Sequence, residues 1–517
     1  MPPLNPYTGP TPSLLPITAG SEKAAWDAIS KATEGRLTLW GTDLLRSGLD
    51  KHVKSVLVEP LYICKDYRNL YANFYSKKFS ERSSYCSRLH FFNTDALSAE
   101  EAIFHPETYK DNYMGYSVIE PVARRCVGRT VVDPYMIGQQ QKTHFCLRTP
   151  TKVRIHGADY ETHGFPYRSQ SGEATVCAHT ALWAACRYLS ERYREYRELH
   201  PYDLIEMTGD TNGRRVPYRG MSYTDYSTIL SEFGCHPAIL RPKGTEITGG
   251  GGKKTRDWSM DRESFFDLYS YVESGFPVLT SFGGHVVTLI GHTILDALPG
   301  GKVADKHGFY DSAYLVKEYI VVDDNFFPYQ LLGYRGSAQY YPAGAYGTME
   351  HPPSIDAVVA AVVPLPEKAF LPPRFARESG SSVFATASAQ AKIADVVKKL
   401  ALKDETLKLI RLLLTSGSAF HRRKREFYNQ NTKDDLLKYP VSLNLPHFVW
   451  VLELSTLSTH NARRCFGEIV VDATSSRHEY EPIYVRIGNH LISGNKEQEF
   501  ASCPLDFPQY THNLGRL

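Results

Sequence analysis

The chain lacks most of the features that announce a function directly. Cysteine is scarce: nine in 517 residues, an odd number with no repeating spacing. That pattern fits reduced thiols inside a cell better than a disulfide framework. Charge of one sign is also missing, with 59 Lys+Arg against 56 Asp+Glu and a formal net charge of +3. So small a balance generates no strong field, which argues against a dedicated nucleic-acid binder. Long apolar runs are absent, and the longest stretches, such as Ala357 to Val363 and Phe448 to Leu452, have strand length. No membrane span is therefore expected. The first 20 residues carry six prolines and no basic residue. They lack the pattern of a secretory signal and read as a disordered, partly polyproline arm. The expected location is the cytoplasm.

What remains is a composition close to globular averages, 42 % hydrophobic, on a chain long enough for several domains with cores of their own. No internal repeat is visible. Composition and pattern divide the chain into an arm (1–22), an N-terminal α/β part (23–150), a central part (151–345) and a C-terminal α/β part (346–517). The N-terminal part has strand-like runs at Val56 to Val58, Tyr116 to Pro121 and Arg129 to Val132, and a helical stretch from Asp66 to Phe79. In the central part, helices precede strands separated by glycine-rich turns. Thr248 to Thr255 contains four glycines but no phosphate-loop pattern, and reads as a surface loop. The C-terminal part is expected to hold a helix from Ala389 to Leu414, a basic turn at His421 to Arg425, and strands near Phe448, Glu468 and Ile483. The basic turn reads as a solvated face rather than a nucleic-acid patch, since no RNA-binding motif accompanies it.

One cysteine has an unusual setting. Beyond Cys177, apolar residues recur at Ala178, Ala181, Leu182, Ala185 and Leu189, the period of an amphipathic helix. A polar, glycine-containing stretch precedes it, so Cys177 is expected at a helix start. Free N–H groups and the positive end of the helix dipole stabilise a thiolate at such a position, as a cysteine nucleophile requires. Gln170, seven residues upstream, is placed for its amide to turn back and hold an oxyanion together with the Cys177 N–H. The plain alternative is a small buried thiol. Cys186, inside the helix, is better explained that way, and His179 points to another side of the helix.

A nucleophilic cysteine needs a histidine, and among 19 one has a fitting context. Asp261 to Ser274 reads as a helix closed by Gly275, followed by a strand from Phe276, the pair Gly283-Gly284, His285, and a second strand, Val286 to Gly291. A third strand ends in Asp323-Asp324-Asn325. Strand alternation sends one of these acids inward, where it can orient the imidazole. Asp324 is the favoured orienter, with Asp323 next and Asn325 a further acceptor; the plain reading of the acids is a strand-ending turn.

This order, from a cysteine at a helix start to Gly-Phe-Pro-Val, Gly-Gly-His and a strand ending in Asp/Asn, resembles the papain-like cysteine peptidases. The stretch Gly275 to Gly291 is similar to the bacteriocin-processing, double-glycine-leader branch. The resemblance covers roughly Phe165 to Phe327, and departs where Val176 rather than glycine precedes Cys177. It implies an α+β protein whose central domain is papain-like, flanked by two α/β accessory domains. It further implies Cys177 as nucleophile, His285 as general base and acid, Asp324 as orienter and Gln170 as oxyanion donor. A protein or peptide is the implied substrate, with the accessory domains free to dock a protein partner, and no cofactor is called for.

Two other functions compete. A papain-like scaffold without activity would serve protein binding alone. A transglutaminase-like acyl transferase would use Asp472 in Gly467 to Thr474, although 187 residues separate it from His285. The groupings Cys86 with His90, His144 with Cys146, and Cys177 with His179 and Cys186 lack the spacing of a zinc site.

Overall fold

The β-branched run after Ser55 becomes an inner strand of an antiparallel sheet, with Val56, Leu57 and Val58 wholly buried. In the computed structural model, the described residues are 11–18, 20–138, 145–208, 220–241, 245–248, 254–257, 261–282, 284–334, 354–388, 391–400, 402, 406–430, 440–476, 482–493, 496–499 and 505–510. Strands Ser13–Pro16, Ser55–Tyr62, Cys86–Phe92, Tyr113–Ile119 and Val127–Val132 pair in that order. The first of these corrects the expectation of a wholly disordered arm. Leu14 and Leu15 lie along Leu57 and Val56, so the segment completes an open edge, and Pro16 sits at the end of an edge strand, where its missing N–H is tolerated. Residues 1–10 lie outside the described part.

The protein is mixed α+β, and its chain divides into two compact units. One comprises Met1–Gly234, Leu279–Ile290 and Ile320–Val362; the other comprises Cys235–Val278, Gly291–Tyr319 and Val363–Leu517. Both boundaries read from composition, near 150 and 345, fall inside the first unit. After its five strands, that unit forms the hairpin Thr149–Ile155 with Ala158–Gly164, then helices Cys177–Arg192, Pro201–Met207 and Tyr223–Phe233. Among the strands of the chain, Gln330–Leu332, Val316–Val322, Val286–Ile294, Val278–Ser281 and Ala360–Val363 are successive neighbours in a second sheet. Helix Cys177–Arg192 is buried over most of its length, with Leu182, Trp183, Ala185 and Cys186 inaccessible. A helix covered on nearly every side is a core element, and its alanines let neighbours approach closely.

In the second unit, helix Arg262–Glu273 forms as expected. Asp261 caps it by accepting the Ser264 N–H at 3.0 Å, and Gly275 leaves it at a left-handed φ of +93°. Thr245–Thr248 and Lys254–Asp257 pair as a hairpin, while the glycines between them lie outside the described residues. Two expectations fail here. The stretch read as one helix to Leu414 is a helix, Ala391–Lys399, followed by a strand, Lys408–Ser416. That strand is buried on both faces, so its apolar run carries no alternation to distinguish it from a buried helix. It pairs with Phe448–Thr456, which continues through Gly467–Asp472, Pro482–Ile487, His490–Ser493 and Lys496–Glu499.

The basic turn is the second failure. Residues 421–425 belong to helix Gly417–Gln430, and Lys424 is buried with its ammonium 2.6 and 2.5 Å from the two oxygens of Glu468. The charge run is therefore not a uniformly solvated face. Lys424→Met is expected to destabilise the protein by about 3 kcal/mol, because Glu468 stays buried without its cation. A lowered urea midpoint would show it, whereas an unchanged midpoint would mean that water reaches Glu468.

Candidate active site

Every residue of the candidate site lies in the first unit. A tight turn leads into it. The Ser171 hydroxyl accepts the Ala174 and Thr175 N–H groups at 2.9 and 3.0 Å, and the Ser171 N–H donates to Thr175 Oγ1 at 3.0 Å. The chain therefore doubles back between Gln170 and Val176. Val176 is extended (φ −113°, ψ 174°), and Cys177 is the first residue of the helix. Its backbone N–H is thus one of those without an intrahelical acceptor.

Among the eight described cysteines, Cys177 is the one that is not buried. Five of the others lie in surroundings that oppose a thiolate. Burial pushes the Cys64 and Cys146 thiols up to about 12 and raises Cys86, Cys126 and Cys465 as well. Cys503 lies outside the described residues.

His285 stands at the entrance of strand Val286–Ile294, where its carbonyl accepts the Phe282 N–H at 2.9 Å. The ring hydrogen-bonds the Cys177 side chain, and its Nε2 lies 3.0 Å from Asp323 Oδ1. With Nε2 facing the carboxylate, Nδ1 is the nitrogen left for the sulfur. Burial opposes a charge on this ring, but the Asp323 carboxylate, the hydrogen bonds to Asp323 and Cys177, and the charge of Asp324 outweigh it and lift the pKa to about 11. The raised basicity makes the ring the acceptor for the Cys177 proton.

Asp323, not Asp324, therefore orients the imidazole. The strand ends at Val322, and the chain then turns, with the Asn325 N–H donating to Asp323 Oδ1 at 2.9 Å. That turn holds the Asp323 carboxylate against the ring. Asp324 is directed to Arg125 instead, with 3.6 Å between Oδ2 and Nη1. Neither of its carboxylate oxygens has a hydrogen-bond partner among the described residues. Burial and the adjacent Asp323 charge raise its pKa. Asn325, the third candidate, joins the site: its Nδ2 is 3.2 Å from Asp323 Oδ1 and 3.5 Å from His285 Nε2, and its Oδ1 accepts from Arg125 at 2.6 Å.

Gln170 is half-buried in the wall of a cleft of about 790 Å³ shared with Thr38, Trp40, Arg124, Arg125 and Glu173. Sequence reading missed Arg125 and Trp40. A pair of consecutive arginines between strands was the available signal, but nothing local shows where such a loop ends. Asp472 accepts the Thr474 N–H and hydroxyl, both at 2.7 Å, and so serves a local turn in the other unit. Of the described residues, only His285, Asp323 and Asp324 offer a donor set for a metal ion, with ligand atoms within 4.8 Å of one another. The cysteine-histidine groupings of the sequence form no such set among the described residues.

Asp323→Asn tests this electrostatic arrangement. Removing the carboxylate is expected to bring the imidazole pKa down from about 11 toward its ordinary 6.5. The sign follows from linkage: a raised folded-state pKa adds stability that is complete below 6.5 and disappears as pH rises through about 11. The variant should lose that increment, and NMR titration of the ring reads the shift directly. Asp324→Asn should move the ring less. A larger effect from Asp324 would reverse the assignment.

Compared with protein-family models, with curated proteins and with solved structures, the chain matches none of them.

Proposed function

We propose that the chain is a papain-like thiol hydrolase that cleaves an amide, isopeptide or thioester bond through an acyl-enzyme. The observation that carries this reading is the sulfur of Cys177, accessible at a helix start and hydrogen-bonded to an imidazole that Asp323 holds from the other side. In the reaction, the Cys177 proton passes to His285 and the sulfur attacks the carbonyl carbon. The Cys177 N–H receives the developing oxyanion, with the Gln170 amide assigned as the second donor. As the tetrahedral intermediate collapses, the imidazolium gives its proton to the leaving nitrogen or sulfur, and a thioester to Cys177 remains. Water then attacks the thioester while His285 takes its proton, which releases the acid and restores the thiol. Asp323 keeps the ring in one orientation and stabilises its charge throughout.

An acylating, thiol-directed probe read by intact mass and peptide mapping tests the reading. Wild type should be labelled at Cys177, and Cys186→Ala should be labelled equally, because Cys186 is buried inside the helix. Loss of labelling in Cys186→Ala alone would overturn the assignment. No labelling of wild type would favour the non-catalytic scaffold.

A further inference from the structure

The cleft beside the catalytic groups has a definite chemistry. Leu39, 78 % exposed despite its size, and Trp40 are its large apolar groups, and Arg124 and Arg125 line it with them. The Arg125 guanidinium is 5.3 Å from the Trp40 ring centroid. Its side chain is 28 % exposed, so it faces the cleft as well as Asn325 and Asp324. Arg124 is exposed and has no ion-pair partner among the described residues. Glu173, the one acid in the wall, is already held by Lys78 at 2.9 Å and Arg82 at 3.1 Å. The cleft therefore carries a local cationic excess on a protein whose overall balance is close to neutral.

Its position relative to the ring is equally definite. Arg125 reaches His285 through Asn325, on the Nε2 side and away from the sulfur. The leaving group takes its proton from Nδ1 and so lies on the histidine side of the sulfur, the side to which Asn325 and Arg125 belong. We propose that this cleft receives the leaving-group side of the substrate and selects one bearing a carboxylate next to an apolar side chain. The inference rests on the thiol-hydrolase reading and adds its substrate class. A guanidinium pair recognises a carboxylate through charge-assisted, bidentate hydrogen bonds, while Trp40 and Leu39 cover the apolar neighbour. Either an acidic side chain or a free terminal carboxylate supplies the same group.

The test needs no known substrate. The full chain is alkylated with iodoacetate, an anion, and with iodoacetamide, its neutral counterpart; in each case the sulfur displaces iodide. The ratio of the two rates at Cys177 is compared with that of glutathione. An anion-selecting cleft should raise the ratio about fivefold at low salt and lose most of that gain at 0.5 M salt. Arg124→Gln should lower the ratio about threefold and leave the iodoacetamide rate unchanged, because Arg124 touches none of the reacting groups. A wild-type ratio equal to that of glutathione would overturn the proposal, as would a raised ratio that neither Arg124→Gln nor Arg125→Gln lowers. If neither reagent modifies Cys177, the thiol reading falls and this inference falls with it. With a cleavable peptide series, a glutamate side chain on an amidated leaving group and a free terminal carboxylate on a neutral one separate the two sources. Preference for a lysine leaving group over both would refute the selection.

Discussion

Cys177→Ala and His285→Ala are each expected to lower kcat/KM for a cleavable acyl substrate by at least about a thousandfold. Without the sulfur, no acyl-enzyme forms. Without the imidazole, the sulfur has no base at hand and the leaving group no acid. The two groups act as a unit, so the double variant should be about as impaired as either single one; additive losses would mean that they work independently. Iodoacetamide alkylation separates the roles: His285→Ala should slow modification of Cys177, whereas Cys177→Ala removes the target. Full turnover in either variant would end the catalytic reading, while intact binding of a partner by both would favour the scaffold alternative.

The second large effect concerns what holds helix Cys177–Arg192 in place. Asp66 is fully buried, and its Oδ1 lies 2.8 Å from His200 Nδ1, 3.1 Å from Arg187 Nη2 and 3.4 Å from Trp183 Nε1. Arg187 and Trp183 project from helix Cys177–Arg192, so this one carboxylate anchors the element that begins at Cys177. Burial opposes its ionisation, yet the Arg129 charge, the His200 hydrogen bond and the Arg187 and Arg168 charges hold its pKa well below the usual carboxylate range. Asp66→Ala removes the buried anion that these cations share while Arg187 keeps Glu198, Arg129 keeps Glu191 and Arg168 keeps Glu120, and a cost of about 3 kcal/mol is expected. The urea midpoint measures it. The pH dependence has a fixed sign. A depressed folded-state pKa adds stability that is present above the unfolded value of about 3.8 and is lost as pH falls through the lower folded value. Wild type should therefore lose this increment in acid, and Asp66→Ala should show a shallower acid dependence. Equal midpoints at neutral pH would mean that Glu198, Glu191 and Glu120 satisfy the arginines without Asp66.

Several elements were legible because their signals are local. Helix Cys177–Arg192 and strand Val286–Ile294 fall where apolar periodicity and glycine placed them. Strand Lys408–Ser416 did not, since a buried strand and a buried helix show the same unbroken apolar run, and the choice lies with the neighbours that cover both faces. Lys424 was misread for a related reason. A charge run looks solvated until a distant acid, here Glu468, lies opposite one of its members.

The sequence by itself determined which cysteine and which histidine to consider. Helix starts and glycine turns depend on adjacent residues, so Cys177 and His285 stood out without any tertiary knowledge. The choice between Asp323 and Asp324 belonged to the tertiary structure. Adjacent residues at a strand end differ only in the side they face, and the turn through Asn325 decides that side. The cleft with Arg125 and Trp40 was likewise invisible in the chain, because residues 40, 125, 170 and 325 meet only when separate segments of one unit pack together. The same holds for charge. The scarcity of cysteine and the near-neutral balance describe the whole molecule, whereas the one thiol not buried among the described residues and a local pair of arginines arise from burial, which composition does not encode.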